Sequence, residues 1–335
     1  MAKGVATPVD EAALLTAARS GDEQAFERLL APHRRALHVH CYRLLGSLHD
    51  SDDALQETLV RAWRGLGGFE PRATFRAWLY RIATNVCLRA IERRSRAPEL
   101  LDPDEAEIAA YFQPYPDRLL ETDVVAEERE SVGLAFVSVM QLLPPRQRAV
   151  LVLRDVLGWS AREVADLLGD SVASVNSALQ RAREKLEHER AAGRIARDHA
   201  PASPDAEARV MRKFLAAWEA VDVDGIVELL AGDAVLTMPP EPMRLTGPRA
   251  IGDFFRTVPA EGALERIRLV SARANRQPAF AAYVADEAGV YEAYGVMVFA
   301  LEGEAVASIT GFAGYPDLFP ELGLPLSLAP SAGDP

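Results

Sequence analysis

The stretch Gly158-Trp-Ser-Ala-Arg-Glu-Val-Ala-Asp-Leu-Leu-Gly-Asp-Ser-Val-Ala-Ser-Val-Asn-Ser-Ala-Leu-Gln-Arg-Ala-Arg183 carries the decisive pattern. Ser160 and Glu163 stand at capping-box spacing, which starts a helix. Ala165 is small where two helices cross closely, and Gly169 ends that short helix in a tight turn. Ser171 caps a second helix with Val175, Leu179, Ala182 and Leu186 on its inner face. The spacing of Ala165, Gly169 and Val175 is that of a helix-turn-helix, although Asp170 stands where an apolar residue often follows the turn glycine. The second helix then shows Ser174, Asn176, Ser177, Gln180, Arg181 and Arg183 to solvent. Short hydroxyl and amide side chains near a helix N-terminus reach base edges, and arginines further on reach guanine or phosphate. An ordinary helical hairpin with a solvated polar face carries the same pattern, so the spacing alone leaves DNA binding open.

Upstream, residues 10–96 read as helical throughout. Leu14, Leu15 and Ala18 precede the break Ser20-Gly21-Asp22, and Phe26, Leu29, Leu30 then repeat at helical spacing. Leu37, Cys41, Leu44 and Leu45 follow, ended by Gly46. Ser51 is expected to cap the next helix, with Ala54, Leu55, Leu59, Ala62 and Trp63 as its apolar stripe and Asp53, Gln56 and Glu57 facing outward. Gly65, Gly67 and Gly68 open a loop, and Phe75 to Arg94 reads as a helix with Leu79, Ile82, Val86 and Ala90 inside. Phe69, Arg72, Phe75, Trp78, Tyr80, Asn85 and Arg89 interleave rings, arginines and an amide, a combination suited to single-stranded nucleic acid.

Three motifs in order, Asp53-Ala-Leu-Gln-Glu57, Trp78-Leu-Tyr-Arg-Ile-Ala-Thr-Asn85 and Leu143-Pro-Pro-Arg-Gln-Arg-Ala-Val150 running into the helix-turn-helix, resemble the extracytoplasmic-function bacterial RNA polymerase sigma factors. The resemblance covers residues 22–96 and 133–190. It implies that Asp53, Gln56 and Glu57 dock the clamp helices of the polymerase's largest subunit, and that Phe69 to Phe75 captures a base flipped from the minus-ten element. It assigns Asn85 and Arg89 to the helix that reads that element, and Asn176, Ser177, Gln180 and Arg181 to the minus-thirty-five element. Many relatives carry basic residues at positions matching Asn176 and Ala178, so weak DNA binding without polymerase is expected. The implied partners are core RNA polymerase and promoter DNA, with no cofactor and no metal.

Residues 97–132 hold Pro98, Pro103, Pro114 and Pro116 among many carboxylates and read as an acidic linker, but Tyr111, Phe112 and Tyr115 are aromatic for a linker and are expected to dock. Residues 101–130 carry ten carboxylates and two arginines. Such a segment either mimics nucleic acid in the polymerase's template channel or is a solvated tether. The helix-turn-helix domain spans 133–197. After Pro201 to Pro204 the texture becomes α+β: helices at 206–220 and 223–231, a Pro-broken segment, a helix near 248–256, and strands at 264–273, 278–285, 290–301 and 305–315.

Phe214-Leu-Ala-Ala-Trp218, Asp233-Ala-Val-Leu-Thr-Met-Pro-Pro240 and Gly247-Pro-Arg-Ala-Ile-Gly-Asp-Phe-Phe255 resemble a SnoaL-like cone, expected over 205–330. The resemblance implies a pocket, with Trp218, Met238 and Tyr294 as candidate walls. The six histidines all precede residue 205, and neither cysteine lies beyond it, so Asp233, Asp286 or Glu292 would lack the usual catalytic partner. No catalytic residue is expected; the domain reads as a modulator in intramolecular contact with the sigma domains. The competing readings are a SnoaL-type enzyme with a DNA-binding appendage and a stand-alone helix-turn-helix regulator.

The 335 residues suggest two or three domains, and 49% hydrophobic with 26% charged residues excludes wholesale disorder. No apolar run is long enough for a membrane span, no signal-peptide core opens the chain, and two cysteines, Cys41 and Cys87, fit a reducing cytoplasm. A net charge of −12 argues against a nucleic-acid partner, yet Arg72 to Arg96 alone holds seven arginines and one glutamate. Residues 205–335 hold 19 acidic and 10 basic groups. Acidity therefore concentrates in segments that need not touch DNA.

Overall fold

Asp22 caps α2 (Glu23–Leu30) by accepting a hydrogen bond from the Ala25 amide, and so closes the hairpin that follows α1 (Glu11–Arg19). The computed structural model describes residues 11–69, 74–95, 112–120, 133–191, 202–239 and 241–330. Arg72 and Tyr111 lie outside them. Gly46 stops α3 (Arg34–Leu45) with φ 72°, a left-handed conformation that costs glycine little. Ser47, not Ser51, caps α4 (Leu48–Gly65), because the turn at Gly46 leaves no loop between the two helices. Ser51 lies one turn inside α4, buried, and its hydroxyl donates to the Ser47 carbonyl.

α5 (Phe75–Ser95) packs against both α3 and α4. Its buried face is Leu79, Ala83, Val86, Cys87 and Ile91, rotated from the expected stripe, and Ile82 and Ala90 are only half-buried. The reason is a second cover. α7 (Pro145–Leu151) and α8 (Ala161–Leu168) also contact α5, so Tyr80 and Thr84 are enclosed as well. Arg148, 3% exposed, donates from α7 to the Leu44 carbonyl and to the Leu143 carbonyl. A π turn over Val152–Val156 follows α7 and carries the chain to Trp159. α6 (Leu134–Gln141) precedes α7, and α9 (Val172–Ala191) completes the helix-turn-helix.

The C-terminal part begins with α10 (Pro204–Glu219), capped by Ser203, and α11 (Val223–Glu228). Among the described residues a seven-stranded sheet follows, in the order β2-β1-β6-β5-β4-β3 with β7 paired to β5. The strands are β1 (Leu230–Met238), β2 (Glu241–Thr246), β3 (Ile267–Ala274), β4 (Gln277–Ala285), β5 (Tyr291–Glu302), β6 (Ala305–Ala313) and β7 (Ser327–Leu328). β1 runs parallel to β6, and every other pairing is antiparallel. The strands expected at 264–273, 278–285, 290–301 and 305–315 are present within a few residues; β1 and β2 occupy what read as the end of a helix and a Pro-broken stretch. α12 (Pro248–Thr257) joins α10 and α11 around a core in which the Phe214 ring lies 4.9 Å from Phe299 and 5.9 Å from Phe280.

The chain divides into two compact units, Met1–Pro98 with Leu143–Arg183 and Glu99–Leu142 with Glu184–Pro335. Residues 112–120 therefore belong with the C-terminal sheet. Phe112 and Tyr115 are buried, and Pro116 forms a bridge to Ala274. The receptor is the β3–β4 turn, where Asn275 and Arg276 have φ of 55° and 58°, the paired left-handed conformation of a two-residue hairpin. The Tyr115 amide donates to Asn275 Oδ1 at 2.8 Å, and the Asn275 amide returns a bond to the Tyr115 carbonyl at 2.7 Å. Asp117 accepts from the Arg276 amide at 2.6 Å and pairs with Arg273, while Arg118 pairs with Glu321 of α13 (Leu318–Glu321) at 2.8 Å.

Candidate nucleic-acid interface

On α4, buried Ala54, Thr58 and Ala62 alternate with an exposed face of Asp53, Gln56 and Glu57. Glu57 accepts from Arg61 Nε at 2.6 Å, one turn on, and that bond holds its carboxyl below the usual glutamate range. Val60, 42% exposed, adds an apolar contact to the same face.

α5 presents Arg81, Asn85 and Arg89 at four-residue intervals, with Arg81 and Arg89 exposed and Asn85 half-buried. Asn85 Nδ2 donates to the Arg81 carbonyl at 2.9 Å, which leaves its oxygen as the outward polar group. The aromatic residues behave differently from the expectation of base platforms. Phe69 is 6% exposed and Phe75 1%, with ring centroids 5.8 Å apart, and each also packs against Trp78. Arg19 covers Phe69 and donates to its carbonyl. Tyr80 is 2% exposed, enclosed by His40 at 4.9 Å and Trp159 at 5.5 Å. Phe69, Phe75 and Tyr80 are thus packed in the core: the Phe69 and Phe75 rings meet each other, Tyr80 meets His40 and Trp159, and leaving them in water would forfeit burial. Trp78 is half-buried.

The helix-turn-helix follows its spacing closely. Both bonds of the Ser160–Glu163 capping box are present, Gly169 has φ 66°, and Ala165 and Val175 are buried. Asp170 accepts from Arg146 Nε at 2.8 Å, and this arginine holds its carboxyl low, so a polar residue after the turn is anchored to α7. Ser171 Oγ accepts from the Ser174 amide at 3.1 Å. Asn176, Ser177, Gln180 and Arg181 are exposed on α9, with Ser174 half-buried. Arg183 is also outward but is engaged by both oxygens of Asp155, at 2.9 and 2.7 Å.

Within the C-terminal unit, Trp218, Met238 and Tyr294 line one cavity of about 100 Å³. Trp218 Nε1 donates to the Ile267 carbonyl at 3.0 Å, so the indole is a wall and its polar edge is spent. Met238 lies against Gly311, whose missing Cβ makes room for the thioether, and Tyr294 is 49% exposed. Among the described residues, the lining holds no carboxylate, imidazole or thiol. Asp233 is exposed, and Asp286 caps its own turn by accepting from the Ala288 and Val290 amides.

Residues 29–97 match Sigma-70 region 2, residues 134–186 match Sigma-70, region 4, and residues 211–309 match the SnoaL-like domain. The ECF RNA polymerase sigma factor SigG of Mycobacterium tuberculosis is 41% identical, over 93% of this chain and 89% of its own length. The chain belongs to the ECF sigma factors. SigW of Bacillus subtilis, another ECF sigma factor, is 31% identical over half of this chain. The crystal structure of Mycobacterium tuberculosis SigJ shares the fold, with a TM-score of 0.58, 24% identity and coverage of 88% of this chain and 97% of that one.

Two residues outside the expected set stand on the same outward faces. Val60 extends the α4 face, and Arg81 precedes Asn85 by one turn on α5. The four-residue spacing of Arg81, Asn85 and Arg89 was visible in the sequence. Arg146 was not, because its role depends on a turn 24 residues away.

Proposed function

We propose that this sigma factor docks core RNA polymerase through Asp53, Gln56, Glu57 and Val60, reads the minus-ten element with Arg81, Asn85 and Arg89, and reads the minus-thirty-five element with Asn176, Ser177, Gln180 and Arg181. The observation that carries this reading is one chain presenting an outward acidic face on α4, an arginine–asparagine ridge on α5 and a helix-turn-helix whose outer face is polar. A stand-alone regulator needs neither of the first two.

The two promoter elements lie roughly 25 base pairs apart, on the order of 85 Å of duplex at about 3.4 Å per step. Tyr80 and Trp159 touch across α5 and the start of the helix-turn-helix, so engaging both elements requires them to part. The described state is therefore closed. The C-terminal domain acts as a modulator and not as an enzyme, a reading supported by a pocket lined without a titratable acid–base pair. Action in the cytoplasm follows from the polymerase partner, and no described helix is long and apolar enough to cross a membrane.

Run-off transcription with purified core polymerase tests this, comparing the full chain with one ending at Arg197. No transcript from either chain on any candidate promoter sinks the sigma assignment, and equal transcript from both removes the modulating role of residues 205–335.

A further inference from the structure

Asp170 puts a carboxylate where an apolar residue often follows the turn glycine, and its partners show what the exchange does. Arg146 Nε donates to Asp170 Oδ2 at 2.8 Å, and Arg146 Nη2 donates to the same oxygen. The carboxylate also accepts from the Ser174 hydroxyl, four residues on in the first turn of α9, and from the Ser171 amide. Arg146 foremost, and then these bonds, hold the carboxyl below the ordinary aspartate range, so at neutral pH it is ionised and can only accept. Of the ion pair, Arg146 is the more exposed partner. An approaching phosphate therefore meets a guanidinium, and the acidic side chain adds no net repulsion beside the reading helix.

The consequence falls on Ser174. A serine hydroxyl carries one proton and two lone pairs. With the proton committed to Asp170, only the lone pairs remain for DNA. Phosphate oxygens, guanine O6 and N7 and thymine O4 all accept, so none of them can bond to this hydroxyl without breaking its bond to Asp170. The donors in the major groove are the exocyclic amines, N6 of adenine and N4 of cytosine. Ser174 is half-buried near the N-terminus of α9, the end from which a recognition helix reaches base edges.

We propose that Asp170 fixes the hydrogen-bond polarity of Ser174, so that at one minus-thirty-five position, on one strand, the protein selects adenine or cytosine against guanine or thymine. Ser174 is the reader and Asp170 the positioning residue, itself held by Arg146. The inference rests on the assignment of α9 to the minus-thirty-five element and gives one of its contacts a fixed chemical sense.

The test is selection of duplexes by the full chain bound to core polymerase, from a pool randomised across the minus-thirty-five element. Wild type and Ser174→Thr, which keeps the hydroxyl, should enrich adenine plus cytosine at least fivefold over guanine plus thymine at one shared position. There the ratio should fall below twofold in Ser174→Ala and in Asp170→Leu, with preferences at the other positions kept. Replacing the preferred base by its amine-free analogue, nebularine for adenine or 2-pyrimidinone for cytosine, should weaken wild-type binding at least fivefold and Ser174→Ala binding less than twofold. Loss of preference at every position alike in Asp170→Leu makes that residue a scaffold only and overturns the proposal. So does a ratio that Ser174→Ala leaves unchanged. Selection at other positions with no amine-dependent one overturns the proposal and leaves α9 as the reader. A pool that no version enriches sinks the α9 assignment, and this inference with it.

Discussion

The ring of Tyr80 stands 5.5 Å from that of Trp159, tilted by 56°. Tyr80 lies on the helix assigned to the minus-ten element, and Trp159 directly precedes the capping box of the helix-turn-helix. One aromatic contact therefore joins the two sigma parts, and the buried Arg148 bond to the Leu44 carbonyl joins them as well.

Trp159→Ala should favour the open state. An aromatic pair contributes about 0.5–1.5 kcal/mol beyond area burial, so opening should become roughly 2- to 12-fold easier. Run-off transcription at limiting sigma factor should rise within that range. A fall in transcript with unchanged thermal stability would count against the closed state as a restraint.

Charge reversal on α4 separates docking from folding. Asp53→Lys combined with Glu57→Lys touches exposed side chains, so the thermal midpoint should hold while core-polymerase affinity falls at least tenfold. Affinity measured by fluorescence anisotropy decides it; retained affinity would remove this face from the interface.

On α9, Gln180→Ala should cost about 1–3 kcal/mol of discrimination between promoter and mutated minus-thirty-five sequences. Asp155→Ala acts oppositely, since it frees Arg183 for phosphate. The salt dependence of duplex binding should steepen by about 0.9 in log–log slope. An unchanged slope would mean that Arg183 points away from the backbone.

His40 is fully buried, and burial lowers its pKa to about 3 from the ordinary 6.5, with Arg43 adding to the shift. Its Nε2 lies 2.9 Å from Thr84 Oγ1. The unfolded chain takes up a proton near pH 6.5 and the folded chain does not until about pH 3. Stability is thus highest above pH 6.5 and is lost as pH falls, by about 1.4 kcal/mol per unit for this group. Denaturant unfolding between pH 7 and 5 should show that slope, reduced by about one proton in His40→Gln. Parallel wild-type and variant profiles would contradict it.

The helix-turn-helix was the most legible part, because its capping box, turn glycine and small crossing residue are local requirements written within 16 residues. The outward faces of α4 and α9 were legible for the same reason: helical periodicity separates Asp53 from Ala54 and Asn176 from Val175 with no knowledge of the partner. The α5 stripe was misread because a single helix pattern does not reveal that α7 and α8 cover a second side. β1 and β2 were missed because a Pro-broken, partly polar run takes its strand conformation from pairing with β6 and not from its own pattern.

By itself the sequence determined the helical sigma parts, the order of motifs, the polar faces and a cone with no imidazole or thiol. Only the tertiary structure decided where the aromatic residues go. Phe69, Phe75 and Tyr80 look like base platforms beside arginines, yet Phe69 is covered by Arg19, Phe75 by His33 and Tyr80 by His40 and Trp159, all distant in the chain. The same holds for the linker. Phe112 and Tyr115 announce a docking segment, but the seat, Asn275 in a left-handed turn and Phe312 on β6, is more than 150 residues away and exists only once the sheet has formed. Local patterns encode what one helix or turn needs; burial and long-range hydrogen bonds depend on partners that folding alone brings together.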